Sequence, residues 1–260
     1  MEKQFVVLGL GIFGSTLVKT LSQYGREVIA IDKNPENVQR VADFATKAVI
    51  GDVTDFQFLS DLGLNDMENV GFSWILLGWK VKILKRPIYN EELTINTWGR
   101  DSNRIFTYRD YKIYDESGEL CTIATSKWAI VDINTGKLRE LTPEIIEKYQ
   151  CETKKVFEED YTLKLKEPAT IIRKQEYKAQ RRDIDINKHI HNLYYLDYAY
   201  EALPEEVYEA PECNNIEIMY KKQIRLNDEF KCLYTKEENQ NIITIKSKDE
   251  NTLHAIIKLY

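Results

Sequence analysis

Arg182-Asp183-Ile184-Asp185-Ile186-Asn187-Lys188-His189-Ile190-His191-Asn192 crowds polar groups ahead of Leu193 to Leu203, a segment with helical spacing. Two of the chain's three histidines lie in it. Polar side chains at the mouth of a helix, between a strand and an apolar helical face, are costly to place unless they bind or catalyse something. Taken alone, the run also reads as a turn carrying a surface histidine. Beyond it, Asn215 to Arg225, Glu229 to Tyr234, Ile242 to Lys248 and Thr252 to Tyr260 read as strands. From about Glu176 to Tyr260 the chain is therefore an α+β unit.

Upstream, Trp74 to Leu84, Glu92 to Trp98, Arg104 to Tyr114 and Leu120 to Val131 read as long strands. The turn signals Glu116-Ser117-Gly118 and Asn134-Thr135-Gly136 punctuate this stretch, which predicts an antiparallel meander. Trp74, Leu76, Phe106, Trp128 and Ile130 are expected to share its apolar face. Thr142 to Glu159 is a charged, helix-capable connection opened by the capping signal Thr142-Pro143-Glu144.

Before residue 70 the character is different. Short β-branched runs at Gln4 to Leu10, Glu27 to Ile31 and Lys47 to Ile50 alternate with helical spacing at Phe13 to Tyr24, Glu36 to Ala45 and Asp55 to Leu62, the βαβ pattern. Gly9-Leu10-Gly11-Ile12-Phe13-Gly14 is GxGxxG between a strand and a helix, and Asp32 closes the second strand. Such glycines let the backbone approach a pyrophosphate at the positive helix end, and Asp32 can accept hydrogen bonds from ribose hydroxyls. NAD(H) or ATP is the expected ligand of this fragment.

Lys and Arg number 36 against 42 Asp and Glu, a net charge of -6, which is the wrong sign for binding nucleic-acid phosphates or anionic membranes. No apolar stretch approaches the ~20 residues of a membrane span, and no small-residue cleavage site follows the amino terminus. A cytoplasmic protein with no nucleic-acid partner and no membrane insertion is expected. The four cysteines are far apart without a CxxC pair, so no metal site is expected and the thiols are read as reduced.

The DxNxH run with the downstream Tyr-Leu-Asp-Tyr-Ala-Tyr-Glu-Ala-Leu helix resembles the second hotdog of acyl-ACP thioesterases, which release the acyl chain at the end of fatty-acid synthesis. Trp74-Ile75-Leu76-Leu77-Gly78-Trp79-Lys80-Val81, Thr97-Trp98, Tyr108-Arg109-Asp110 and Ala124-Thr125-Ser126-Lys127-Trp128 resemble the first hotdog of that family. The resemblance covers about residues 71 to 260. It implies that Asp185, Asn187 and His189 are the catalytic triplet. Asp185 would hold the other two, Asn187 and helix amino-terminal N–H groups would orient the thioester carbonyl, and His189 would activate water or protonate the leaving thiol. Where the family carries an acidic residue, in a motif like YKKE, this chain has Tyr220-Lys221-Lys222-Gln223. Gln223 can position a water but cannot take its proton, so either Asp185 or His189 is the base or the activity is weakened, and Ile224 removes the cysteine found next in some members. His191 is read as a helix-start residue and His254 as structural. The implied partner is acyl carrier protein with its acyl chain, a homodimer is compatible, and hydrolysis needs no cofactor.

Residues 1 to about 69, with Ala48-Val49-Ile50-Gly51-Asp52 and Leu62-Gly63-Leu64, resemble the amino-terminal part of RCK domains, nucleotide-binding regulators of potassium channels and Trk/Ktr-type uptake systems. The expected order is 1–69, a partial Rossmann-like βαβαβ nucleotide-binding fragment; 71–141, a first hotdog lacking its amino-terminal strand and helix; 142–175, a connection; and 176–260, the catalytic hotdog. The fold class is thus α/β followed by α+β. The junction falls between about Leu62 and Gly71 with no Gly, Ser or Pro linker, which favours a chimeric reading frame over a natural fusion. Thioester hydrolysis is the expected function, impaired by the truncation. A nucleotide-binding regulatory fragment of a potassium transport system and an inactive chimera are the alternatives.

Overall fold

The structure, a computed structural model, describes residues 4–55, 58–59, 62, 71–100, 104–149, 151–158, 164–185, 187–209 and 213–260. They form two units, Met1–Gly71 and Phe72–Tyr260.

In the first unit β1 (Gln4–Leu8), β2 (Glu27–Asp32) and β3 (Lys47–Ile50) form a parallel sheet in the order β1-β2-β3, with Val6 opposite Ile29 and Ile31 opposite Val49. Helices α1 (Ile12–Gln23) and α2 (Pro35–Val41) connect them. Val7, Leu10, Val18, Val28, Ala30, Val38 and Val41 make the core. The Asn34 side chain accepts from Glu36 N–H and Pro35 fills the first turn, so α2 is capped where the sequence changes to polar. It stops at Val41, short of the expected Ala45. Of the predicted third helix, Asp55 to Leu62, half the positions lie outside the described residues; Phe58 and Leu59 are helical, with Leu59 N–H donating to Asp55 C=O at 3.1 Å.

The second unit is one ten-stranded sheet. Its strands are β4 (Phe72–Ile83), β5 (Thr94–Arg100), β6 (Phe106–Tyr114), β7 (Leu120–Asp132), β8 (Leu138–Arg139), β9 (Arg173–Lys178), β10 (Asn215–Tyr220), β11 (Glu229–Glu237), β12 (Gln240–Ser247) and β13 (Leu253–Leu259). They run in the order β5-β6-β7-β4-β10-β13-β12-β11-β9, with β8 on β7. Three short helices accompany them: α3 (Pro143–Lys148), α4 (Tyr194–Glu201) and α5 (Glu205–Tyr208). The meander holds for β5 to β7 only. Strand β4 pairs with β7 on one side and with β10 on the other, so it joins the two halves into one sheet.

The register corrects the expected apolar face. Phe106 lies opposite Ala129, one residue out of phase with Trp128, and therefore points to the other side of the sheet. There the Lys127 ammonium sits 4.1 Å from its ring centroid. Phe72, Trp74 and Ile130 do share a face, covered by Leu141 and Ile146 from the start of the connection. Beyond α3 the described residues 151–158 of the connection are not helical, where a helix was expected. Its backbone groups bond to the sheet: Glu152 N–H to Gly99 C=O at 2.8 Å, Lys154 C=O from Trp98 Nε1–H at 2.9 Å, and Val156 N–H to the buried Asp110 carboxylate at 2.9 Å. Sheet partners thus replace the helical bonds this charged sequence could have made.

The second half is built around α4. Tyr195, Ala199, Ala202 and Leu203 pack on Ile218, Phe230, Ile243, Ile245, Ala255 and Ile257 of the sheet. Strand β9 begins at Arg173, so this unit starts ahead of the expected Glu176, because β9 pairs along β11 from Tyr234 to Glu229.

Candidate active site

Residues 180 to 191 form a pinned hairpin at the mouth of α4. A 3₁₀ turn, Arg181–Asp183, leads in, and the buried Asp183 carboxylate is its anchor. One Asp183 oxygen accepts from Gln180 N–H at 2.7 Å and from the Tyr198 hydroxyl of α4 at 2.6 Å. The Asp183 carbonyl accepts from His191 N–H at 2.8 Å, closing the neck of the loop. Inside it Ile184 bridges Ile190, and Asp185 N–H donates to His189 C=O at 3.0 Å. Lys188, at φ 62°, makes the reversal in the left-handed region.

This hairpin brings three of the four predicted catalytic side chains together. Asp185 Oδ1 accepts from Asn187 N–H at 2.8 Å, and Oδ2 accepts from Asn187 Nδ2 at 3.4 Å and lies 3.7 Å from His189 Nδ1. His189 Nδ1 is 3.2 Å from the Ile190 carbonyl. That oxygen can only accept, so the neutral ring carries its hydrogen on Nδ1 and leaves the Nε2 lone pair for substrate or water. Ile186 lies outside the described residues.

The fourth residue, Gln223, reaches the hairpin through the backbone. Ile190 N–H donates to Ile224 C=O at 2.8 Å, and His189 is paired with Arg225 in an isolated bridge. Ile190 and Ile224 are both buried in the α4 core, so by alternation His189 and Arg225 face away from it, together. Gln223 is exposed and lines an open groove of about 910 Å³ with Lys222, Arg225, Asp228 and His254. Among the described residues its side chain makes no hydrogen bond to Asp185, Asn187 or His189.

Two expectations about the helix start are sharpened. His191 acts there as read: its Nδ1 accepts from Leu193 N–H at 3.3 Å and its carbonyl from Tyr194 N–H at 2.9 Å. Those two N–H groups are therefore committed within the protein, which narrows the helix contribution to an oxyanion site. Sequence reasoning missed Asp183 and the tyrosines that hold the loop. Tyr195 Oη accepts from Ile224 N–H at 3.1 Å, and Tyr220 Oη donates to Asn192 C=O at 3.0 Å. The spacing of Tyr195 and Tyr198 on one helical face was the available signal. Burial pushes the Tyr195 phenol up to about 12 and lowers the His254 pKa. His254 is buried, with Nδ1 2.8 Å from Lys222 C=O.

In the first unit the three glycines separate by role. Gly9 turns the chain at φ 87°. A Cβ on Gly14 would stand 1.9 Å from the Gly9 carbonyl, so only glycine lets α1 pack there. A Cβ on Gly11 would meet nothing within 4 Å, which leaves the space a phosphate needs at the start of α1. Asp32 accepts from Leu10 N–H at 2.6 Å, Asn34 N–H at 2.8 Å and Asn37 Nδ2 at 3.2 Å. The Asn34 N–H chiefly holds its pKa below the usual carboxylate value.

A continuous antiparallel sheet with a short helix packed on its second half defines a hotdog fold. A solved acyl-ACP thioesterase from Bacteroides thetaiotaomicron VPI-5482 has the same fold, at TM-score 0.66 and 23% identity over 77% of this chain and 82% of that one. The family models for the acyl-ACP thioesterase N-terminal and C-terminal domains match residues 28–149 and 166–258. The chain belongs to the acyl-ACP thioesterase family. Oleoyl-acyl carrier protein thioesterase 2, chloroplastic, of Arabidopsis thaliana is 26% identical over 212 residues, 72% of this chain but 58% of that protein. The chain thus spans little more than half of that relative's length. Ktr system potassium uptake protein C of Bacillus subtilis (strain 168) is 46% identical over 70 residues, 27% of this chain and 32% of that protein. Among the described residues no helix is long and apolar enough to cross a membrane.

Proposed function

We propose that this chain hydrolyses acyl thioesters carried by acyl carrier protein in the cytoplasm, with His189 as base. The hairpin that joins Asp185, Asn187 and His189 carries this reading. His189 Nε2 takes a proton from water as the oxygen attacks the thioester carbonyl carbon. The oxyanion is oriented by Asn187, the C–S bond breaks, and the proton passes from His189 to the leaving thiolate. Asp185 holds both partners and favours the imidazolium that forms between these steps. Gln223 orients the water. In purified protein, release of free thiol from acyl-ACP should fall ~100-fold or more in His189→Ala and in Asn187→Ala. An unchanged rate in both overturns the assignment. Gln223→Glu, which restores a carboxylate, should raise the rate or leave it unaltered.

The first half is read as a hotdog without its amino-terminal strand and central helix, joined in a chimeric frame to the parallel unit. In support, β4 opens the second unit directly, and the helix described in that half is the six-residue α3. A second reading has its own observation. The open space at Gly11 and the likeness to a potassium-uptake protein favour an adenine nucleotide at the start of α1. Gly9 and Gly11 would admit its phosphates and Asp32 its ribose. With half a pocket the dissociation constant should be near ~1 mM, worth about 4 kcal/mol.

A further inference from the structure

The groove beside the hairpin has a charge distribution that the catalytic reading leaves unused. Its wall carries Lys221, Lys222 and Arg225 together with Asp228, Glu229, Lys248 and Asp249. Of the acidic members Glu229 is paired with a cation, whereas Asp228 and Asp249 are held by neutral donors and keep their charge, so the wall carries four cations against three carboxylates. Asp228 accepts from Arg225 N–H at 2.8 Å, Glu229 pairs with Lys248 at 2.7 Å, and Asp249 accepts from the Ser247 hydroxyl at 2.5 Å and from Asn251 Nδ2 at 2.8 Å. Lys221, Lys222 and Arg225 are exposed and, among the described residues, form no ion pair. On a chain of net charge -6 this strip runs against the overall sign, and it ends at Arg225, the residue paired with His189.

We propose that Lys221, Lys222 and Arg225 form the docking surface for an acidic carrier protein, which delivers its thioester to His189 along the groove. The proposal rests on the thioesterase reading. An acidic partner would be steered to these three exposed cations and opposed by the chain's overall negative charge. Docking there sets the direction of approach, because the strip and His189 share the bridged ribbon.

Two measurements separate the surface from the chemistry. The first is binding of fluorescein-labelled holo acyl carrier protein, read by anisotropy. Lys221→Glu and Lys222→Glu should each weaken it about tenfold or more, whereas Lys137→Glu, the same charge change on the exposed turn before β8, should not. Raising ionic strength from about 0.01 M to about 1 M, which shortens the Debye length from about 30 Å to about 3 Å, should weaken wild-type binding steeply. Equal affinities in the three variants overturn the proposal. The second is the ratio of kcat/KM for acyl-ACP to that for the matching acyl-N-acetylcysteamine thioester, which should drop about tenfold in Lys221→Glu and Lys222→Glu. An equal loss on acyl-CoA would mean that the strip reads the phosphates of the pantetheine arm and not a carrier surface, against the proposal. Wild-type protein that cleaves none of these thioesters sinks the hydrolase reading, while the anisotropy still decides the surface.

Discussion

Asp183 shows how a buried side chain can matter to a site without facing it. Its carboxylate, 2% exposed, holds Gln180 N–H and the Tyr198 hydroxyl, and its backbone holds His191, so both ends of the candidate catalytic loop and helix α4 meet at one residue. Burial, together with the bond to Asp183, raises the Tyr198 pKa, so the phenol is a permanent donor there. Tyr198→Phe leaves the carboxylate with one donor fewer in a place water does not reach. A hydrogen bond to a charged group contributes about 1.5–3 kcal/mol, so the variant should unfold at lower denaturant by that amount at unchanged m-value. A midpoint within error of wild type would show that the hydroxyl is dispensable to the loop. The residues of the proposed site, Asp185, Asn187 and His189, were legible because DxNxH is a local spacing. Asp183 was in the same quoted run, yet its partner Tyr198 is 15 positions away, and nothing local marks that pairing.

At the scale of elements, the strand β1, its glycine turn and α1 form a unit in which fold and ligand needs can be told apart. Gly14→Ala drives a methyl group into the Gly9 carbonyl, and overpacking of this kind costs about 1–3 kcal/mol, so the parallel unit should melt at a lower temperature. Gly11→Ala meets no atom and should melt as wild type does, yet weaken any adenine-nucleotide binding measured by calorimetry. Asp32→Ala is the less clean test, because its carboxylate also fixes Leu10, Asn34 and Asn37. If Gly11→Ala binds nucleotide as wild type does, the open space at α1 is not a phosphate site. The sequence pattern located these elements well, since each βαβ step is written within a few residues. It misjudged the connection after Thr142. There, helix-capable residues bond to β5 and β6 instead, a choice made by sheet groups such as Gly99 C=O and Asp110 that precede them by dozens of positions.

Across the second unit as a whole, stability is tied to pH through His254. Burial lowers its pKa, with the nearby Lys222 charge acting in the same sense, while its bond to the Lys222 carbonyl and the Asp228 charge act against it. The folded state therefore refuses a proton that the unfolded chain accepts below pH about 6.5. Stability is fully present above that value and declines as pH falls through the window beneath it. Thermal melts of wild type and His254→Gln between pH about 8 and about 5 should diverge in slope, the wild type losing more. Parallel curves would show that His254 titrates alike in both states.

What the sequence determined by itself was local: the period-two runs, the GxGxxG turn, the Glu116-Ser117-Gly118 and Asn134-Thr135-Gly136 turns with Gly118 and Gly136 at positive φ, and the DxNxH run. Each is set by contacts within about a dozen residues, which backbone sterics and side-chain spacing encode directly. Only the tertiary structure decided that β4 runs between β7 and β10, that Phe106 turns to Lys127, that Tyr195 and Tyr198 hold the loop, and that Arg225 pairs with His189. These depend on strand register, where a one-residue shift reverses every side chain, and on pairings between segments far apart in the chain.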